Sequence, residues 1–281
     1  MTIAQPREYV WNLRKMDAGL LANGLFGERP EVSLMVARLS GMLAARVESR
    51  TEEKIGYVND YLNREYSPRE DVLVLPIVGE MSRYSYDALG NELLSECLRA
   101  AFQNDKYKAI VLKIDSGGGT ADSCALLADA INARNKPVIA HATRCYSAAY
   151  FVASQCDEII IEGEASSGLG SIGSLIRYQN IQLMLERNGI VDRLIRAKKS
   201  TEKALINSTE PLTPELERKL VEIATACHKE FEGYVRRGRA GKLTSDEWVT
   251  GNEYDAKTAL KMGLIDGVGT LAQVVASLSE L

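Results

Sequence analysis

Short apolar runs alternate with amphipathic stretches from Asp71 onwards, and this alternation constrains the fold more than any other feature of the chain. Residues 72–78 and 109–114 have the length and the β-branched content of buried strands. The stretch 86–103 between these runs has apolar residues at helical spacing, and 120–134 is also predicted to be helical. Strands and helices that alternate in this way form parallel sheets, because each crossover lays a helix on the sheet. We therefore predict an α/β fold with a parallel β-sheet covered by helices.

Residues 1–70 differ in character and are predicted to form a helical N-terminal segment that precedes a domain at 71–281. Apolar residues recur near helical spacing between positions 33 and 48, and Pro68 marks a linker. A membrane span needs about 20 apolar residues, and no N-terminal run reaches that length. The basic-then-apolar order of a secretory signal is also missing. We expect a cytoplasmic protein with no membrane anchor.

Charge and cysteine usage narrow the function classes. The net charge is −4, whereas a dedicated nucleic-acid binder is usually basic, so we expect no nucleic-acid partner. The chain has 5 cysteines with no CxxC pair, which argues against a disulfide framework and against a thiolate zinc site. We expect neither a metal nor a cofactor.

Two predicted strand-to-helix junctions carry residues that suit acyl-transfer chemistry. Glycines 117–119 follow a strand, and backbone N–H groups at such a turn can converge on a developing negative charge. The alternative is a tight turn with no further role. Ser147 lies at the second junction among small residues, where a hydroxyl is accessible and a helix dipole favours negative charge. The alternative for Ser147 is a plain helix N-cap.

A nucleophilic serine needs a base. His141 lies in a predicted strand and His228 in a long helix, and neither forms part of a convincing triad pattern. A lysine amine can act as the base where burial keeps it neutral, and residues 198–203 contain three lysines. Ser171, in the small-residue run 166–173, could orient such an amine through its hydroxyl, or the run could be a simple loop.

Taken together, these motifs resemble the signal peptide peptidase A family of serine proteases, which shares the ClpP/crotonase-type fold. The resemblance covers residues 70 to 281. Four segments match the family motifs in the same order: 116–119, 146–150, 169–173 and 248–266. Four ordered motifs are far more specific than any one of them.

The resemblance implies a role for each matched residue. Ser147 would attack the peptide carbonyl and form an acyl-enzyme. Gly118 and Gly119 would supply the N–H groups of the oxyanion hole. Ser171 would hold the lysine, which would accept the proton from Ser147.

The position of the lysine departs from the family pattern, in which it follows an Ala-Gly pair and precedes a proline. Counting back from Pro211 favours Lys203, whereas counting forward from Ala197 favours Lys199. We take Lys203 as the predicted base of a Ser-Lys dyad and Lys199 as the alternative.

The resemblance also bears on biology. The family includes prophage-encoded proteases that cut scaffold and capsid proteins, and the expected lack of an anchor favours that soluble branch. An extended polypeptide is the implied substrate, and a ring-like homo-oligomer is the implied assembly. Two alternatives remain: a crotonase-like acyl-CoA enzyme, and a non-catalytic ring-forming scaffold protein with a degenerate site.

Overall fold

The computed structural model describes residues 69–84 and 89–278, so the predicted helical segment lies outside the described residues except at its last two positions. Within 71–281, predicted as one domain, the chain forms two compact units. The larger, here called the sheet unit, comprises the described residues 69–84, 89–174 and 225–278. The smaller, here called the insert, comprises residues 175–224 and interrupts the sequence of the sheet unit.

The described strands all belong to the sheet unit: β1 (Val72–Met81), β2 (Ala109–Gly119), β3 (Val138–Tyr146), β4 (Glu158–Ile161), β5 (Gly168–Gly170), β6 (Glu253–Tyr254) and β7 (Gly267–Val268). The helices are α1 (Asn91–Gln103), α2 (Cys124–Asn132), α3 (Ala148–Ala153), α4 (Gln182–Arg187), α5 (Pro214–Gly238), α6 (Ala256–Met262) and α7 (Leu271–Ser277). Of these, α4 lies in the insert, and α5 begins in the insert and ends in the sheet unit. None of the described helices combines the length and the apolar character needed to cross a membrane.

The sheet is mostly parallel, with the order β1-β2-β3-β4-β7. Strand β3 has two neighbours on one side, because its first half pairs with β4 and its second half pairs with β5. The short strand β6 adds to β5 in the antiparallel sense. The predicted α/β fold with a parallel, helix-covered sheet is confirmed.

Alternation along the strands produces a core on each face of the sheet. Val72 and Val74 point to the face covered by α7, where they cluster with Val274. Leu73 and Leu75 point to the opposite face, which helices α1, α2 and α3 cover. Because both faces of the sheet are buried, the strands are apolar at successive positions rather than at every second position.

Pro76 was expected near the end of its strand but lies inside β1, opposite Lys113. Proline cannot donate a ladder hydrogen bond, so it is confined to edge strands. In the described sheet, β1 is the terminal strand of the order, and β2 is its neighbour. The edge position therefore accommodates the proline.

All five cysteines are free. Four are buried, and burial raises the pKa of Cys97 to about 11 and that of Cys124 to about 12. Burial raises the pKa of Cys145 and Cys156 further still. Cys227 on α5 is half-buried.

Candidate active site

Ser147 forms the turn between β3 and α3 and adopts φ 51° and ψ −122°. A non-glycine residue in such a conformation costs on the order of 1–3 kcal/mol and persists only where the surrounding structure imposes it. A strained strand–turn–helix junction of this kind presents the serine hydroxyl at the end of a sheet. The Ser147 side chain makes no capping hydrogen bond to the described helix α3. Ser147 therefore occupies the N-cap position of α3 without using its hydroxyl as a cap.

Strand pairing brings Ser171 beside Ser147. Tyr146 and Gly170, the last residues of β3 and β5, are partners in the parallel register, and a serine follows each of them. The Ser147 N–H donates to the Gly170 carbonyl at 2.8 Å. Ser171 also has a positive φ of 51°, and its N–H donates to the Asn252 carbonyl at 2.7 Å. The two hydroxyl-bearing turns thus share one end of the sheet.

The glycine segment was predicted as a turn, but it continues strand β2 as far as Gly119. The pairing with β1 shifts register just before it, between Val78 and Glu80. Gly118 has φ +96°, and a Cβ built there would lie 2.7 Å from the Ser147 Cβ and 2.9 Å from the Ala148 nitrogen. Only a glycine allows the strand to approach the serine turn so closely.

A buried serine fixes this strand end. The Ser116 hydroxyl donates to the Gly79 carbonyl at 2.6 Å and accepts from the Gly118 N–H at 3.1 Å. Ser116 is fully buried, so its hydroxyl competes with no water for these bonds. The hydrogen bond to Ser116 occupies the N–H of Gly118, one of the two N–H groups predicted to face an oxyanion.

The neighbouring N–H groups belong to Gly119, at the end of β2, and to Ala148, at the start of α3. Thr120 donates its N–H to the Met81 carbonyl on β1 at 2.9 Å. Gly119, the last residue of β2, is the register partner of Met81 on β1. Ala148 follows the serine as the first residue of α3, which is the position that supplies an oxyanion N–H in nucleophile-elbow enzymes.

The candidate bases lie elsewhere in the chain. Lys199 and Lys203 belong to the insert, and both are exposed. The sheet unit contains the other predicted site residues: Ser147, Ser171, Gly118 and Gly119. The structure therefore assembles the serine half of the predicted site, and the pairing of Ser147 with either lysine stays a prediction.

Neither histidine forms a hydrogen bond with the Ser147 hydroxyl in the part of the chain that the structure describes. His141 is buried in β3, its Nε2 lies 3.0 Å from the Gly269 carbonyl oxygen, and burial lowers its pKa. It is the packed strand residue that its position suggests. His228 on α5 is half-buried, and among the described residues of the sheet unit neither ring bonds the Ser147 hydroxyl. Within residues 69–84 and 89–278, no group of three His, Cys, Asp or Glu side chains could hold a metal ion.

Two residues of the site were missed from the sequence. Ser116 opens the matched glycine motif, but nothing in a linear pattern shows that its hydroxyl bridges two strands. Ala148 was considered only as a small flanking residue. Its position directly after a serine at a strand-to-helix junction was the available signal.

Comparison with known proteins identifies the family. The model of peptidase family S49 matches residues 130–281, which is more than half of the chain. The chain belongs to peptidase family S49. This S49 member is 29% identical over 219 residues to the Serine protease SPPA, chloroplastic, of Arabidopsis thaliana, covering 74% of this chain and 32% of that protein.

A second relative of this S49 member is the Putative signal peptide peptidase SppA of Enterococcus faecium. It is 22% identical over 212 residues, covering 74% of this chain and 60% of that protein. The chain thus spans less than two thirds of the length of these curated relatives. A solved structure of a 1510-N membrane-bound stomatin-specific protease in complex with a substrate peptide is a distant likeness. Its TM-score is 0.39 at 16% identity, covering 72% of this chain and 76% of that one.

Proposed function

We propose that this protein is a serine endopeptidase that hydrolyses extended polypeptides with Ser147 as nucleophile and Lys203 as general base. The observation that carries the proposal is the strained serine turn, with φ 51° at Ser147 and a glycine strand packed against it. Membership of peptidase family S49 supports the same chemistry.

The proposed reaction follows the usual course of acyl transfer. The Ser147 Oγ attacks the scissile carbonyl carbon while its proton passes to the amine of Lys203. The N–H groups of Gly119 and Ala148 stabilise the resulting oxyanion. The C–N bond then breaks, and the lysine returns the proton to the departing amine. Water, deprotonated by the same lysine, attacks the acyl-enzyme carbonyl. The ester C–O bond then breaks, the lysine returns the proton to the Ser147 Oγ, and the second product leaves as a carboxylic acid.

Two further requirements follow from this proposal. The hydroxyl of Ser171, at the same end of the sheet as Ser147, is assigned to hold the lysine amine by accepting a hydrogen bond. A lysine serves as a base only where its neutral form is favoured, which needs shelter from water. The exposed Lys203 must therefore become enclosed in the working enzyme.

A covalent probe tests the dyad. A fluorophosphonate should label the wild-type protein at Ser147, and Ser147→Ala should abolish the labelling. Lys203→Ala should slow it by at least about a hundredfold, whereas Lys199→Ala should leave it within about twofold. The rate should rise towards alkaline pH, because the base must be neutral. Absence of labelling in a correctly folded wild-type protein would favour the non-catalytic scaffold alternative.

The choice of biological branch rests on the sequence resemblance alone. We propose processing of scaffold or capsid proteins in a prophage as the setting, and a ring-like homo-oligomer as the assembly. Light scattering of the purified full chain would report the subunit number. Cleavage of a co-expressed scaffold protein that Ser147→Ala abolishes would support the setting, and an uncleaved scaffold would count against it.

A further inference from the structure

One ion pair closes the loop that carries both candidate lysines. The Arg196 guanidinium donates from Nη1 to Glu210 Oε1 at 2.8 Å and from Nη2 to Glu210 Oε2 at 2.6 Å. Such a two-pronged pair adds geometric definition to its electrostatic attraction. The side chains are 20% and 37% exposed, so the pair is partly shielded from water. The ends of residues 196–210 are thus tied together.

The same guanidinium binds the backbone at the predicted base. Arg196 Nε donates to the Lys203 carbonyl at 2.5 Å, and Nη2 donates to the Ala204 carbonyl at 2.9 Å. Ala204 has φ 55°, a left-handed conformation that non-glycine residues seldom adopt. The arginine therefore holds the chain in an unusual conformation directly after Lys203.

Asn207 completes this arrangement. Its Nδ2 donates to the Ala204 carbonyl at 2.9 Å and to Glu210 Oε2 at 2.8 Å, while its Oδ1 accepts from the Glu210 N–H at 2.8 Å. We call Arg196, Asn207 and Glu210 the clamp. The hydrogen bond from Arg196, followed by that from Asn207, lowers the pKa of Glu210 to about 2. The clamp therefore keeps its charges from pH 6 to 10.5.

The clamp treats the two candidate lysines differently. Among the described residues, it binds the backbone carbonyl of Lys203 and makes no bond to Lys199. Near Lys199 the backbone is held by a local turn, in which the Ser200 N–H donates to the Ala197 carbonyl at 2.8 Å. A catalytic base must be held within a fraction of an ångström of its working position. Of the two candidate lysines, both of which the structure describes, Lys203 is the one whose backbone carbonyl accepts a hydrogen bond from a side chain outside its own turn, that of Arg196.

We propose that Arg196 and Glu210 are positioning residues that act through Lys203, an inference that rests on the proposed function. The ion pair fixes the backbone at residues 203 and 204, and with it the point from which the Lys203 side chain extends. Without the clamp the amine is held loosely and is more fully hydrated, which favours its protonated form. A loosened base therefore works more slowly and needs a higher pH.

The test is the pH dependence of labelling by a fluorophosphonate from pH 6 to 10.5, measured on the full chain. Arg196→Met should label at least about tenfold more slowly than wild type at pH 8, with the midpoint of the rise shifted at least about one pH unit higher. Glu210→Gln, which keeps the shape of the side chain, should change both quantities in the same direction by less. If Arg196→Met does not fold, the result with Glu210→Gln decides whether the clamp positions the base.

A matched control separates a specific effect of the clamp from the general effect of removing an arginine. Arg99→Met removes an exposed pair with Glu96 on α1 and should stay within about twofold of wild type at every pH. The ion pair between Glu202, within the loop, and Lys219 at 3.8 Å is left intact in all variants.

Three outcomes overturn one claim or the other. A wild-type rate and midpoint in Arg196→Met would overturn the positioning role. So would a rate reduced equally at every pH, because that pattern reports only a smaller folded fraction. If instead Lys203→Ala labels like wild type, the proposed base is wrong, whatever the clamp variants do.

Discussion

The close approach of Gly118 to the serine turn predicts that one methyl group should strongly slow the fluorophosphonate labelling of Ser147. In Gly118→Ala the new Cβ would lie 2.7 Å from the Ser147 Cβ, whereas ordinary van der Waals contact begins near 3.4 Å. The two segments must therefore separate by about 0.7 Å. A misplacement of about 1 Å at a reacting group costs on the order of a hundredfold in rate. We expect a loss of about that size in the rate of fluorophosphonate labelling.

The same substitution should also reduce stability. A non-glycine residue forced to positive φ costs about 1–2 kcal/mol, and overpacking of a filled site costs about 1–3 kcal/mol. A total of about 2–5 kcal/mol corresponds to a fall of about 5–15 °C in Tm for a protein of this size. Differential scanning fluorimetry measures the fall in Tm. The labelling rates of wild type and Gly118→Ala are compared at a temperature well below the Tm of both proteins.

Gly117→Ala is the matched control. Gly117 is exposed, has no atom within 4 Å of a built Cβ, and lies one position away in the same strand. We expect it to label at the wild-type rate and to melt within about 1 °C of wild type, since surface changes of this kind are usually nearly neutral. The reasoning fails if Gly118→Ala behaves like Gly117→Ala, because the strand would then not constrain the serine turn.

The remaining predictions concern stability. Asp266→Asn should cost about 3–5 kcal/mol in urea unfolding, because it leaves the fully buried Arg239 without its carboxylate partner at 2.6 Å. Burial alone would raise the pKa of Asp266, but hydrogen bonds from Arg239 and Lys242 outweigh it and hold the pKa below 3.8. A carboxyl whose pKa is lower in the folded than in the unfolded protein stabilises the fold at pH values above its unfolded-state pKa. That stabilisation is lost as the pH falls through the folded-state pKa. The Tm of wild type should thus fall more steeply than that of Asp266→Asn below about pH 4. Tyr150→Phe removes a 2.7 Å hydrogen bond to the Leu264 carbonyl and should lower the free energy of unfolding by about 1–3 kcal/mol in the same urea assay. An unchanged free energy of unfolding would mean that water replaces the lost donor at that carbonyl.

Local patterns in the sequence were sufficient for much of the fold. Runs of branched apolar residues predicted β1, β2 and β3, because strands buried on both faces have no polar alternation to obscure them. The position of Pro76 could not be predicted, since it depends on β1 being an edge strand, which is a property of the whole sheet.

The site was predictable to a different extent in its two halves. The motifs around Ser147 and Ser171 lie next to strands, so strand pairing brings them together once the sheet forms. The conformation of Gly118 follows from a register shift between β1 and β2, which no local pattern reveals. Lys203 lies in a loop whose shape depends on side-chain bonds between residues up to 14 apart, so counting along the chain could not decide its position.

The cysteines described above have a practical consequence for work on this protein. Thiolates, not thiols, react with peroxides and alkylating reagents, so the four buried sulfurs should resist both. Serine-directed inhibition can therefore be measured in the presence of maleimides or mild oxidants without confounding damage to the core. Cys227, half-buried on α5, is the one thiol that a dye can address without engineering. The natural sequence thus already offers a single site for a fluorescent reporter.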